Sequence, residues 1–166
     1  MRRWEVVTAV TVLLAPAMLP VPAHALQRLM DVRQVASDTI RDVALVTVVR
    51  GRPTIYYNPI LLARVGPELA TFFITHEYGH IHHGHSGGAL VHDGEISILR
   101  QRQELDADCY AASHLAESDP ASVEAALEFF VRMGPNRFDN YHPTGSQRAA
   151  RILSCLPTPG APAERN

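Results

Sequence analysis

The sequence lacks the features that would link it to nucleic acids. It contains no lysine, so arginine supplies all 15 of its cationic residues, and its formal net charge at pH 7 is −2. No run of basic residues occurs, which excludes the charge pattern of a nucleic-acid-binding domain. We attribute the missing lysine to composition bias rather than to function. The length of 166 residues allows one compact domain and little more.

Long apolar runs are absent after the N-terminal segment, and the run within that segment is short for a membrane span. Residues 1–3 are a short basic start, residues 6–19 are almost wholly apolar, and small residues follow at Ala23 and Ala25. This order predicts a signal peptide over residues 1–25 and an exported bacterial protein, periplasmic or secreted. An uncleaved membrane anchor is the alternative, but three prolines interrupt the apolar run.

Apolar spacing along the remaining chain predicts a mainly helical α+β domain with a small β-hairpin. Residues 26–43 carry apolar side chains at helical spacing and predict an amphipathic helix. β-branched residues predict two strands, residues 44–49 and 54–57, joined by a turn. Further helices are predicted at about residues 60–65, 67–83, 95–116, 121–133 and 146–156, with a glycine-rich loop over residues 84–94. Asp119 and Pro120 are expected to cap the helix at residues 121–133. We expect one domain over residues 26–156, followed by a disordered tail, residues 157–166.

Cysteine is scarce, with Cys109 and Cys155 the only two in the chain. In an oxidising compartment they can pair, closing a loop of about 45 residues and stabilising the fold by about 3–4 kcal/mol. Two buried free thiols are the alternative, because the sequence does not show whether the two Cα atoms lie close enough for a disulfide.

A metal-binding pattern, H-E-x-x-H, occurs at His76, Glu77 and His80, within a segment predicted to be helical. Residues four apart on a helix project from one face, so both imidazoles can bind a single zinc ion. Glu77 can reach a water on that metal without being a ligand itself, which predicts the general base of a zinc-dependent hydrolase. Because so short a pattern also arises by chance, two histidines on an ordinary helix are the alternative.

A catalytic zinc site takes a third protein ligand, which we expect from a later segment. Glu104 is the best candidate, since it lies in an acidic stretch of the next long predicted helix. Asp108 lies one turn further on the same face and can accept the outer N–H of a zinc-bound histidine. The alternative for both residues is a solvated helix face, which is how we interpret the neighbouring Asp106.

The H-E-x-x-H pattern, followed by E-x-x-A-D at Glu104, Ala107 and Asp108, resembles the gluzincin metallopeptidases of the HtpX, BepA and CAAX-prenyl-protease type, peptidase family forty-eight. The resemblance covers about residues 44–156 and implies a zincin-like minimal catalytic domain with one Zn²⁺ per chain. It implies Glu104 as third ligand and Asp108 as the residue that orients a zinc-bound histidine. The implied function is a zinc endopeptidase acting on polypeptides, misfolded or envelope proteins included. The chain has no room for the membrane helices or repeat domain of larger members.

The resemblance extends to a C-terminal His-Pro pair followed by serine and arginine, here His142, Pro143, Ser146 and Arg148. It suggests His142 and Arg148 as donors that stabilise the oxyanion of the reaction, with Tyr141 a weaker candidate. The alternatives are a loop histidine and a surface arginine. Peptidases of this kind usually bind an extended peptide along a sheet edge, and we expect the strand at residues 54–57 to offer one.

Other interpretations of the same residues remain open at this point. Four histidines follow the motif: His82, His83, His85 and His92. They suggest either a second metal site or a further zinc ligand in a latent form of the protein. We favour the simpler interpretation that they belong to a polar helix end and the loop after it. A regulatory metallopeptidase of the ImmA/IrrE type is one rival function. A latent or non-catalytic zinc-binding envelope module, such as a chaperone or assembly factor, is another. Ser146 has no evident base beside it, so a serine mechanism has no support.

Overall fold

A computed structural model describes residues 32–85 and 93–157, the side chains of residues 93–96 excepted. The predicted signal peptide, most of the glycine-rich loop with His92, and the predicted tail beyond residue 157 lie outside the described residues. The described chain forms three strands and five helices: β1 (Arg33–Ala36), β2 (Ala44–Val49), β3 (Arg52–Tyr57), α1 (Pro59–Val65), α2 (Pro67–His82), α3 (Asp93–Leu115), α4 (Pro120–Met133) and α5 (Gly145–Ser154). This confirms a mainly helical α+β fold with a small sheet.

The sheet has the strand order β1-β3-β2. β2 and β3 pair antiparallel, from Ala44 opposite Tyr57 to Val49 opposite Arg52, which confirms the predicted hairpin. β1 pairs parallel with β3 on its other side. The predicted helix over residues 26–43 is therefore wrong for the part that the structure describes. β1 is only four residues long, and its pairing with β3, not the apolar spacing of the longer segment, decides its conformation.

Because β1 covers one side of β3, the predicted substrate-binding edge at residues 54–57 is also wrong. β3 is the central strand, and within the described residues β2 forms the edge on the hairpin side. Asn58 fixes the end of β3: its side chain donates to the carbonyl of Ile40 and accepts from the first backbone N–H groups of α1.

The two long helices α2 and α3 contact each other backbone to backbone at Gly79. A Cβ atom at this position would lie only 2.9 Å from Cα of Ala107 and 3.1 Å from Cβ of Tyr110. Glycine at residue 79 and alanine at residue 107 therefore allow the helices to approach closely, directly beside His80 of the motif. In the described part of the chain, no helix is both long enough and apolar enough to cross a membrane.

The core lies between α2, α3, α4 and α5. Phe130 of α4 packs edge-on against Phe72 and Phe73 of α2, with ring centroids 6.4 and 6.3 Å apart. As predicted, Asp119 caps the helix that begins at Pro120, since its side chain accepts from the backbone N–H of Ser122. These contacts fix α2, the helix of the H-E-x-x-H pattern, against the rest of the domain.

The two cysteines form a disulfide, which answers the question that the sequence left open. Cys109 on α3 is joined to Cys155, the residue after α5, and their Cα atoms are 5.4 Å apart. The bond connects the helix of Glu104 and Asp108 to the helix of Arg148.

Candidate metal centre

The three predicted metal ligands meet at the contact between α2 and α3. Nε2 of His76 lies 3.1 Å from Nε2 of His80. The carboxylate of Glu104 approaches both rings, with one oxygen 3.2 Å from Nε2 of His76 and the other 3.3 Å from Nε2 of His80. One donor atom from each residue can be chosen so that all lie within 4.8 Å of one another, so the group can hold a metal ion.

The spacing of these donors fits one ion bound by all three. Bonds of about 2.0–2.1 Å in tetrahedral directions place neighbouring donor atoms about 3.3–3.4 Å apart. Nε2 of His76 and Nε2 of His80 are 3.1 Å apart, and each lies next to a different oxygen of Glu104, at 3.2 and 3.3 Å respectively, so these contacts come close to that spacing. Two imidazoles and one carboxylate would leave one of the four positions of a zinc ion for water, and all three residues line one cleft. The described residues contain no second such group, so the suggestion of a second metal at His82, His83 and His85 finds no support.

Charge in the pocket favours a cation. Burial alone would lower the pKa of His76, but hydrogen bonds to Asp108 and Glu104 outweigh burial and raise this pKa to about 10. Burial acts to raise the pKa of Glu104, yet its contacts with His76 and His80 hold that pKa well below the usual range. The free imidazole of His76 therefore binds a proton tightly, and a metal ion can take the place of that proton.

Asp108 orients His76. One of its oxygens, Oδ1, lies 2.9 Å from Nδ1 of His76, on the side of the ring away from the metal position. A neutral imidazole that donates from Nδ1 presents its free electron pair at Nε2, as a metal ligand must. The sequence predicted an orienting role for Asp108, and the structure assigns it to His76 rather than His80.

Arg148 lies behind Asp108 and is only 2 % exposed. Its guanidinium donates to both oxygens of Asp108, at 2.7 and 2.6 Å, and lies over the ring of Phe130 at 4.1 Å from the ring centroid. The structure thus gives Arg148 a different partner from the substrate oxyanion that the sequence suggested. Sequence analysis missed this contact because α5 is 40 residues away from Asp108 along the chain.

Glu77 lines the cleft next to the metal position and is 7 % exposed. Burial raises the pKa of its carboxyl to about 7, an effect that His76 partly opposes. The backbone of Val46 also interacts with Glu77, which places the edge strand β2 beside it. A carboxyl group in this range can both accept and release a proton near neutral pH.

His142 faces the same cleft from the loop before α5. Its Nδ1 lies 2.8 Å from the carboxylate of Asp139, which also accepts the backbone N–H of His142. Its Nε2 lies 3.7 Å from the carboxylate of Glu104. The structure therefore brings His142 to the metal position, with Asp139 as an orienting partner that the sequence analysis missed. Tyr141 is 44 % exposed and contacts Arg100.

The cleft has a volume of about 730 Å³ and runs between β2 and the helices. Polar ligand and acid–base side chains line its floor, and apolar residues, among them Phe73, Phe129 and Phe138, line one part of its wall. A residue group that can hold a cation, the carboxyl group of Glu77 and the strand β2 thus line the same cleft.

No family model, curated protein or solved structure matches the chain.

Proposed function

We propose that the chain is a zinc-dependent endopeptidase that hydrolyses polypeptides outside the cytoplasm. The observation that carries the proposal is the close approach of His76, His80 and Glu104, whose ligand atoms can be chosen within 4.8 Å of one another, in the cleft that Glu77 also lines. Two histidines and a glutamate form one of the ligand sets of catalytic zinc sites, and the resemblance to the gluzincins of peptidase family forty-eight supports zinc over other ions.

Zinc held by these ligands would act as a Lewis acid and lower the pKa of water in the cleft. Glu77 then accepts the proton of the attacking water and passes it to the leaving amine. The raised pKa of Glu77, about 7, suits a group that must both take and give a proton. His142, oriented by Asp139, presents Nε2 to the cleft and is the candidate donor for the oxyanion.

The edge strand β2 offers a way to bind substrate. Its residues 44–47 line the cleft, and within the described residues its outer edge has no partner strand. An extended peptide can pair with such an edge through backbone hydrogen bonds, which favours unfolded or misfolded chains over folded ones. This proposal replaces the edge at residues 54–57 that the sequence suggested.

The disulfide supports the predicted export. Bonds of this kind form and persist in oxidising compartments, and Cys109 and Cys155 are joined in the structure. A periplasmic or secreted enzyme fits this observation better than a cytoplasmic regulatory peptidase of the ImmA/IrrE type.

The decisive experiment compares the exported protein with its Glu77→Gln variant. We expect about one equivalent of zinc in both, and cleavage of unfolded casein by the wild type only, because the glutamine side chain keeps the shape of the glutamate but cannot accept a proton. Glu68→Gln is the matched control, since Glu68 lies on the same helix and is exposed.

Cleavage by Glu77→Gln at the wild-type rate would overturn the assignment of the general base. Zinc bound by both proteins with cleavage by neither would contradict the peptidase and favour a latent or non-catalytic envelope module. A protein without affinity for zinc would overturn the proposal from its first step.

A further inference from the structure

The two metal-facing histidines have different partners on their outer nitrogens. Nδ1 of His76 contacts Asp108, whereas Nδ1 of His80 lies 3.1 Å from Nδ1 of His85. The rings of His80 and His85 meet edge-on, with centroids 5.3 Å apart. His85 lies three residues beyond the end of α2 and also lines the cleft.

The end of α2 holds His85 in this position. Gly84 has a positive φ of 70°, so the chain turns back on itself after the helix. The backbone N–H of His85 then donates to the carbonyl of His80 at 2.9 Å, and that of Gly84 donates to the carbonyl of Ile81 at 3.1 Å. These two bonds are those of a Schellman motif, in which the residue after the glycine packs on the residue five positions earlier.

In most Schellman motifs this side-chain contact is apolar. Here it joins two imidazoles, and the chemistry of the pair is determined by the metal position. Because Nε2 of His80 faces His76 and Glu104, the proton of a neutral His80 ring resides on Nδ1. That N–H needs an acceptor, and Nδ1 of His85 is the acceptor within hydrogen-bond distance.

We propose that His85 is a positioning residue for the metal site: held by the helix-terminal turn at Gly84, its Nδ1 accepts the N–H of His80 and so fixes the tautomer and orientation of that ligand. This inference rests on the proposed zinc site and adds a residue that the ligand set does not contain. Orienting partners of metal-bound histidines typically contribute a factor of about 10–100 to metal affinity.

The test measures zinc affinity by competition with a chromophoric chelator, so that it does not depend on cleavage. We expect His85→Leu, which fills similar space without an acceptor, to weaken zinc binding by about 10- to 100-fold. His85→Gln retains an acceptor oxygen, and we expect it to bind zinc within a few-fold of the wild type. His114→Leu is the matched control, because His114 is exposed, lies outside the cleft and is not among the candidate ligands.

Zinc affinity of His85→Leu equal to that of the wild type would overturn the proposal, and so would equal losses in the leucine and glutamine variants. Urea unfolding of the metal-free variants separates a loss of affinity from a loss of folding. Should His85→Leu not fold, ¹⁵N NMR of the zinc-loaded wild type decides. A coupling across the hydrogen bond between the two Nδ1 atoms supports the proposal, and a His80 Nδ1 proton that exchanges as freely as in an exposed imidazole contradicts it.

The two proposals fail in distinguishable ways. Absence of zinc binding by the wild-type protein would contradict the proposed function itself. If the wild-type protein binds zinc and cleaves casein, and His85→Leu binds zinc equally tightly, only the proposed role of His85 is contradicted.

Discussion

Asp108 and Arg148 form an ion pair that is closed to solvent, with side chains 0 % and 3 % exposed. Two parallel hydrogen bonds join them, and the same carboxylate contacts His76. Burial acts to raise the pKa of Asp108, but the charge of Arg148 outweighs it and holds this pKa below its usual range. One carboxylate thus connects α5, α3 and the metal-facing histidine of α2, and Arg148 keeps it ionised.

Replacing Arg148 should therefore damage the fold more than replacing its surface neighbours does. Arg148→Met leaves Asp108 buried without its cation, and breaking a buried pair from one side costs about 3–5 kcal/mol. Urea unfolding of the metal-free protein measures this loss. Arg151→Met is the control on the same helix, since its pair with Asp106 is partly exposed and exposed pairs contribute about 0–1 kcal/mol. Equal effects of the two substitutions would contradict the structural role of Arg148.

A methyl group at Gly79 should disturb both stability and metal binding. Gly79→Ala forces the added Cβ against the backbone of Ala107, so α2 and α3 have to move apart. Overpacking of this kind costs about 1–3 kcal/mol. Because His80 lies on α2 and Glu104 on α3, the same movement should weaken zinc binding by about tenfold or more.

Thermal unfolding and chelator competition test both effects. Thr71→Ala, at an exposed position of the same helix, should change neither by a measurable amount. A Gly79→Ala protein that is destabilised but binds zinc as tightly as the wild type would show that the site tolerates a shift between the helices.

The parts of this molecule that the sequence predicted are those with local causes. The hairpin follows from β-branched runs on either side of a turn, and α4 from Asp119 and Pro120 at its start. The pairing of His76 with His80 follows from helix geometry alone. Glu104 could be predicted as the third metal ligand because its acidic stretch lies on the next long predicted helix after the motif.

The parts that the sequence did not predict depend on contacts between distant segments. β1 forms a strand because it pairs with β3, and the same pairing makes β3 the central strand instead of an edge strand. The orientation of Arg148 depends on how α5 packs against α3, and the sequence of α5 alone does not determine this packing. The pairing of Cys109 with Cys155 also remained open for this reason, although both residues were identified.

The stability of the metal-free protein should fall as the pH rises above 7. In the folded chain the pKa of His76 is about 10, against 6.5 for the free side chain, so its stabilising proton is fully bound below 6.5 and is lost toward 10. Glu77, with a pKa of about 7, acts in the same direction at lower pH. The lowered pKa values of Glu104 and Asp108 take effect only in acid, so the alkaline decrease belongs to His76.

Urea unfolding in the presence of a chelator, at pH 7 and pH 9, measures this effect. We expect a decrease of more than about 1 kcal/mol, since a tenfold change in proton affinity corresponds to about 1.4 kcal/mol. The zinc-loaded protein should not lose stability in this range, because the metal ion replaces the proton. His76→Asn should remove the decrease, and a wild-type curve that is flat or rises from pH 7 to pH 9 would contradict the charge assignment of the site.

The aromatic wall of the cleft predicts which peptides the proposed peptidase prefers. Phe138 is 56 % exposed and stacks on Phe129, which in turn meets Phe73 edge-on. Phe138 also contacts the ring of His142, so in the proposed peptidase a side chain bound on this wall would lie close to the cleaved bond. We therefore expect faster cleavage beside large apolar residues, and a loss of this preference in Phe138→Ala.

Two peptides that differ only in phenylalanine or alanine beside the cleaved bond test this expectation. Half of the burial energy of an aromatic side chain is about 0.8–1.5 kcal/mol, so Phe138→Ala should lower kcat/KM for the phenylalanine peptide by about 4- to 12-fold. The alanine peptide makes little contact with the wall and should be cleaved at nearly the original rate. Leu153→Ala, at an exposed apolar position away from the cleft, controls for a general loss of surface apolarity. An equal decrease for both peptides would mean that Phe138 supports His142 rather than selecting the substrate.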